Sequence, residues 1–149
     1  MSRTTRYQGV IILNDQILLI KHRQYKDGFE YWVLPGGGRE EGESEEECVK
    51  REIKEETNLD VVVERLLLDI PGQADNFYRF YKSYLCKTLT DNVQPGFEPE
   101  FEKGVGYEIS EVGWFDFRNE EKWPNDQVFN RVIYPQLKKI QKLLGYDKE

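Results

Sequence analysis

Two apolar runs open the chain, YQGVIIL at Tyr7–Leu13 and QILLIK at Gln16–Lys21, and both read as strands because β-branched and leucine side chains dominate them. Asn14-Asp15 between them is a two-residue hairpin signal. Gln24–Glu30 reads as an exposed loop, and Tyr31–Leu34 as a short strand stopped by Pro35 and three glycines. The period then changes. Ser44, followed three residues on by Glu47, has the form of a capping box, which predicts a helix from Ser44 to about Thr57. Asn58 stands where a left-handed residue would close that helix. Val61–Ile70 and Phe77–Lys87 return to β-branched and aromatic residues and predict strands. Residues 88–106 read as a long loop, and Val112–Phe117 as a further strand. From Pro124 onward, Val128, Phe129, Val132, Ile133, Leu137, Ile140, Leu143 and Leu144 follow helical spacing, with Pro135 expected to kink or split the helix.

Strands with one internal helix and a helical end, and no repeat or linker between them, predict a single α+β domain over residues 1–149. A mixed sheet between helices is the expected architecture. Composition agrees: 38% hydrophobic and 13% aromatic residues in 149 are enough for a packed core. A formal net charge of −7 argues against extended contact with nucleic-acid phosphates. It leaves room for a small phosphorylated ligand, because a bound divalent cation reverses the local sign. Two cysteines and one histidine offer no zinc-binding spacing. The start has no apolar signal core and no run reaches membrane length, so no membrane partner and a reducing, cytoplasmic location are expected.

Charge changes the picture in one place. Between Arg39 and Glu56 nine glutamates face four bases, 4 − 9 = −5 within eighteen residues. With Cys48 at zero and about 100° per helical residue, Glu52 falls near 40°, Glu56 near 80° and Glu55 near 340°, one arc of about 100°. Val49 and Ile53, near 100° and 140° by the same count, form the adjacent side that packs on a sheet. A glutamate-rich helix with bases four residues on, as in Glu46–Lys50 and Glu47–Arg51, is commonly just a solvated face. Clustered carboxylates also suit a hard divalent cation, and oxygen-only ligands favour magnesium, manganese or calcium over zinc.

The spacing decides between these readings. Gly37 is followed after five residues by Glu43, and after seven more by Arg51-Glu52-Ile53-Lys54-Glu55-Glu56, then Thr57, Asn58 and Leu59. This resembles the signature of the Nudix hydrolases (the MutT-like enzymes), every specified position matching except that Asn58 replaces the last glycine. Trp32, Pro35 and Gly36-Gly37 resemble the family's approach to that box. The resemblance implies a hydrolase that cleaves the pyrophosphate linkage of nucleoside diphosphates joined to another moiety. It implies Mg2+ as cofactor, with Mn2+ as a substitute, held by Glu52, Glu55, Glu56 and a backbone oxygen near Gly37. Arg51 would orient a carboxylate such as Glu43. The general base would be Glu52 or an acid of the late loop, Glu98, Glu100 or Glu102. Arg23 and Tyr31, with Glu43, are the candidates for holding the rest of a small nucleotide substrate. A proline or tyrosine that marks some subfamilies is absent at Ala74, Asp75 and Asn76, so substrate class stays open. Many relatives pair, which makes a homodimer compatible with the resemblance. The alternatives are a Nudix-fold module that binds a nucleotide or metal without turnover, and an acidic helical surface used only for protein contact.

Overall fold

The computed structural model describes residues 4–72, 78–96 and 107–146. Its strands are β1 (Thr5–Leu13), β2 (Gln16–Gln24), β3 (Glu30–Val33), β4 (Gly36–Gly37), β5 (Val61–Pro71), β6 (Phe80–Thr88) and β7 (Tyr107–Asp116). The two α-helices are α1 (Glu45–Thr57) and α2 (Tyr134–Leu144). The expected α+β architecture, a mixed sheet between helices, is the one observed.

Asn14 and Asp15 both take left-handed backbone, φ 53° and 62°, which turns β1 into β2. The two strands then part: their described pairs are only Ile12↔Ile17 and Leu13↔Gln16. Beyond that point β1 takes β4 as its antiparallel neighbour and β2 takes β3. The sheet therefore opens like a V, with Leu34 and Pro35 crossing its mouth. On its other edge β1 runs parallel to β6, which pairs antiparallel with β5, while β7 lies antiparallel along β2.

Period-two alternation sends successive β1 side chains to opposite faces. Ile11 joins a core with Tyr7, Leu18, Tyr84, Cys86 and the α1 residues Cys48, Val49 and Ile53. Its neighbour Val10 joins a second core with Ile17, Leu19, Tyr81, Phe129, Ile133, Leu137 and Ile140. The two helices thus cover opposite faces, and Gly9 lets α1 come close, since a Cβ there would strike the Ile53 side chain.

Local chemistry sets the ends of α1. Ser44 Oγ accepts from Glu47 N at 3.1 Å, and Glu47 Oε1 accepts from Ser44 N at 2.8 Å, the reciprocal box expected from the sequence. Asn58 is left-handed at φ 69° and donates its N–H to Lys54 O. Its side-chain Nδ2 also reaches Asn92 O at 3.3 Å. Two further amides cap the helix, Gln94 N on Thr57 O at 3.0 Å and Gly96 N on Glu56 O at 2.9 Å.

Besides shifts of a few residues at other strand ends, β7 and the last helix differ most from their sequence expectation. β7 begins at Tyr107 rather than Val112, because Tyr107, Glu108 and Ile109 pair with Gln24, Arg23 and His22 beyond a register shift. The last helical segment begins after Asp126 rather than at Pro124. The Asp126 carboxylate accepts from Phe129 N at 2.7 Å and from Trp32 N at 3.2 Å, so the cap is set by a contact with β3. Pro135 does interrupt the helix. It has no N–H for the Arg131 carbonyl, and the chain responds with a widened π turn at Phe129–Ile133, Tyr134 N bonding Phe129 O.

Candidate functional site

Two carboxylates of α1, Glu52 and Glu56, lie within the buried face of the helix. Glu52 is 4% exposed and Glu56 0%, flanked by the fully buried Cys48, Val49 and Ile53. Glu55, at the rim of the arc, keeps 31% of its side chain exposed. The side next to Val49 and Ile53, which helical spacing assigns to the carboxylates, is thus itself buried at Glu52 and Glu56, and the reason is the sheet opposite. Its two-residue strand β4 is glycine at both positions, leaving room for carboxylates where side chains would normally sit. A Cβ on Gly37 would fall 2.7 Å from Glu52 Oε1, and one on Gly36 would overlap the Tyr7 carbonyl and Gln8. Gly36 N donates to Glu56 Oε1 at 2.8 Å, which fixes that carboxylate against the turn.

Arg51 is the cation of this cluster. Its Nε and Nη2 donate to the two oxygens of Glu43 at 2.6 and 3.0 Å, a bidentate fork. Nη2 also reaches Gly38 O at 3.1 Å, while Nη1 bridges Glu52 Oε2 at 3.1 Å and Glu55 Oε1 at 3.2 Å. The hydrogen bonds from Arg51 hold the Glu43 carboxyl below its ordinary range. The same partners, Glu43 first, strengthen the guanidinium's hold on its proton.

Inside the V lies a group of residues that sequence inspection passed over. His22 Nε2 is 3.8 Å from Glu56 Oε2. Burial, and next the charge of Arg6, push the imidazole's pKa well down, so the ring is neutral at pH 7 and the contact is not an ion pair. Tyr107 stacks on His22 at 3.8 Å between ring centres, and Tyr31 meets it edge-on at 5.4 Å. Arg6, 5% exposed, donates to Gln8 Oε1 and to Leu34 O. The signal that would have found these residues was a base and an amide, Arg6 and Gln8, alternating with apolar residues in a strand destined for the core. His22 gave no such signal, because its neighbour Glu56 is 34 positions away.

The other anticipated site residues are distributed as follows. Tyr31 is buried between His22 and Phe29, 6% exposed. Arg23 lies near the end of β2, between Glu30 on β3 and Glu108 on β7, and is ion-paired with Glu108. Glu98, Glu100 and Glu102 lie outside the described residues, as do Ala74, Asp75 and Asn76.

Among the described residues, no three His, Cys, Asp or Glu side chains converge tightly enough to form a ready-made ion site. The donor chemistry nevertheless fits a hard divalent cation. Glu52, Glu55 and Glu56 supply only carboxylate oxygens, and a positive charge, Nη1 of Arg51, already stands between two of them.

A glycine turn that receives buried glutamates from the following helix, beneath a mixed sheet covered by helices on both faces, defines the class. A model of the NUDIX domain matches residues 3–137, and the chain belongs to the Nudix family. It is 34% identical over 88 residues to a putative ADP-ribose pyrophosphatase, YjhB, of Bacillus subtilis, covering 56% of this chain and 40% of that one. It is 35% identical over 108 residues to the NAD-capped RNA hydrolase NudC of Vibrio atlanticus, covering 72% of this chain and 35% of the relative. The chain thus spans well under half the length of these curated relatives. A crystal structure of an ADP-ribose pyrophosphatase from Streptococcus suis shares the fold at TM-score 0.69 and 24% identity, covering 96% of this chain and 92% of that one. A UDP-X diphosphatase structure superposes at TM-score 0.68 and 27% identity, covering 98% of this chain and 65% of the other. Among the described residues no helix is long and apolar enough to cross a membrane.

Proposed function

We propose that the chain is a divalent-metal-dependent pyrophosphohydrolase that cleaves nucleoside diphosphates linked to another moiety, using Mg2+ with Mn2+ as a substitute. The observation that carries this reading is the set Glu52, Glu55 and Glu56 on one helix, two of them buried against Gly36-Gly37 and one cation bridging Glu52 and Glu55. Glu52, Glu55, Glu56 and the Gly37 carbonyl would hold the metal, which when bound neutralises diphosphate oxygens and polarises water. Arg51 orients Glu52 and Glu55 from one side, and Gly36 N orients Glu56 from the other.

For the proton of the attacking water, the candidates are Glu52 and one of Glu98, Glu100 and Glu102. The flanks of the segment carrying the last three support including it. Gly96 N bonds Glu56 O, and Tyr107 stacks on His22 beside the Glu56 carboxylate. The relatives named for ADP-ribose and for NAD caps point to a substrate in which a diphosphate joins adenosine to a second ribosyl group. A binding module without turnover is the weaker reading, because every box glutamate is in place.

Hydrolysis of ADP-ribose, NAD, nucleotide sugars, dinucleoside polyphosphates and nucleoside triphosphates, measured with Mg2+ and with EDTA, tests the proposal. At least one is cleaved only with the metal, and Glu55→Gln abolishes that turnover and weakens metal binding without lowering the melting temperature. Failure to cleave any of them, or a fully active Glu55→Gln, overturns it.

A further inference from the structure

His22 is a polar residue in an apolar place. It is the chain's single histidine, 3% exposed, and among the described residues its Nε2 has no hydrogen-bond partner. A ring nitrogen buried in that state costs stability that an apolar side chain of the same size would not. Strand alternation puts His22 on the side of Leu18, which packs with Cys48, Val49 and Ile53 of α1, so the ring faces the carboxylate helix. Its Nε2 lies 3.8 Å from Glu56 Oε2, while Gly36 N holds Oε1 of the same carboxylate at 2.8 Å. The contact with His22 is longer than a hydrogen bond, which takes about 3 Å.

A β-bulge arranges the ring's surroundings. β7 pairs with β2 through Lys21↔Glu111 and next through His22↔Ile109, which leaves Ser110 as the extra residue. A slip of one residue reverses the faces beyond it. In the unslipped register Tyr107 would stand opposite Tyr25, on the other face of the sheet. With the slip it stands opposite Gln24, on the face of His22, and stacks on the imidazole at 3.8 Å. The same slip sets Glu108 opposite Arg23, where the two ion-pair. Tyr31, the partner of His22 on β3, meets the ring edge-on at 5.4 Å. The imidazole is therefore clamped on two sides with Nε2 beside Glu56. A carboxylate facing Nε2 selects the tautomer that carries its proton there. An uncharged N–H can orient a carboxylate oxygen without competing with a divalent cation for it, as the guanidinium of Arg51 does at Glu52 and Glu55.

We infer that His22 is a positioning residue for the metal ligand Glu56: in the metal-loaded protein its Nε2–H donates to Oε2 and, with Gly36 N on Oε1, fixes the turn of that carboxylate. This rests on the divalent-metal reading of the site, and it adds a residue that the box signature does not contain.

Two measurements test it. Ring 15N NMR of the wild type needs no assignment, because there is one histidine. The proton sits on Nε2, and saturating Mg2+ moves its resonance downfield as the hydrogen bond closes. Calorimetric titration with Mn2+, without nucleotide, then compares wild type with His22→Leu and His22→Gln. His22→Leu keeps the bulk and loses the N–H, and weakens Mn2+ binding by about ten- to a hundredfold. His22→Gln gives up the ring as well but keeps an N–H, and recovers most of that loss, which a purely packing role does not allow. Should His22→Leu fail to fold, the NMR titration of the wild type decides alone. A proton on Nδ1, an Nε2–H resonance that ignores Mg2+, a Mn2+ affinity of His22→Leu within twofold of wild type, or a His22→Gln no better than His22→Leu overturns the role. A wild type that binds no divalent cation removes the metal site and this role with it. His22-dependent Mn2+ binding in a protein that hydrolyses nothing leaves the role standing and removes the turnover reading.

Discussion

Replacing Arg51 by glutamine is the most informative single change, because one side chain carries the cluster's whole positive charge. The substitution removes the fork to Glu43, the bridge between Glu52 and Glu55, and the bond to Gly38 O. Breaking a buried ion pair costs about 3–5 kcal/mol. With 23% of the Arg51 side chain exposed, solvent screening brings the loss to the lower end, about 3 kcal/mol. For a domain of this size each kcal/mol moves the melting temperature by about 2–4 °C, so calorimetry in EDTA shows a drop of about 6–12 °C. Divalent cation then reverses most of it. At a hundredfold excess over Kd a ligand of the folded state adds about 2.7 kcal/mol, and the variant, freed of the competing guanidinium, binds Mg2+ or Mn2+ at least as well as wild type. A drop below about 2 °C in EDTA would show that Arg51 does not hold these carboxylates. A variant whose melting temperature ignores both cations would show that the carboxylates do not form a metal site.

Three further outcomes follow from the same geometry. Gly37→Ala forces a Cβ into the Glu52 carboxylate, so activity with saturating Mg2+ falls at least tenfold, with a loss of about 1–3 kcal/mol in urea unfolding. The Glu43 carboxyl is depressed chiefly by its bond to Arg51. A depressed folded pKa means stability that is present above the unfolded glutamate value, near 4.3, and lost as pH falls through the lower folded value. Glu43→Gln therefore melts lower at neutral pH and shows a shallower acid slope in melts from pH 6 to 3. Single glutamine replacements of Glu98, Glu100 and Glu102 pick out the general base: one lowers kcat by about two to four orders of magnitude while KM and melting temperature hold. If all three are neutral, the role passes to Glu52.

What could be read in advance divides along the range of the interactions. The hairpin at Asn14-Asp15, the box at Ser44 and Glu47 and the left-handed Asn58 are local devices, decided by neighbours within four residues. The arc of Glu52 and Glu56 follows from helix geometry alone, yet the depth of the two carboxylates depends on glycines fifteen to twenty positions earlier folding into β4. Gly36 and Gly37 read as a turn, because a two-residue strand has no periodicity; it exists only through its pairing with Tyr7 and Gln8. His22 was invisible as a site residue for the same reason. Its relation to Glu56 is made by the parting of β1 from β2, which no single stretch of sequence encodes.

The π turn before Pro135 sets the phase of the final helix. Buried positions there recur every four residues: Val128, Val132, Gln136 and Ile140, alongside Phe129, Ile133, Leu137 and Gln141. On a regular α-helix a four-residue repeat drifts by about 40° each time, so three repeats would swing the two ends about 120° apart. One widened turn holds an additional residue and takes up roughly 100° of that swing. The proline works as a detent, since its missing amide bars the chain from tightening back to regular pitch. A sequence that lost Pro135 would be free to rewind there, carrying Phe129 away from the sheet while Ile140 stayed, and the larger core would come apart at one end without any apolar residue having been changed.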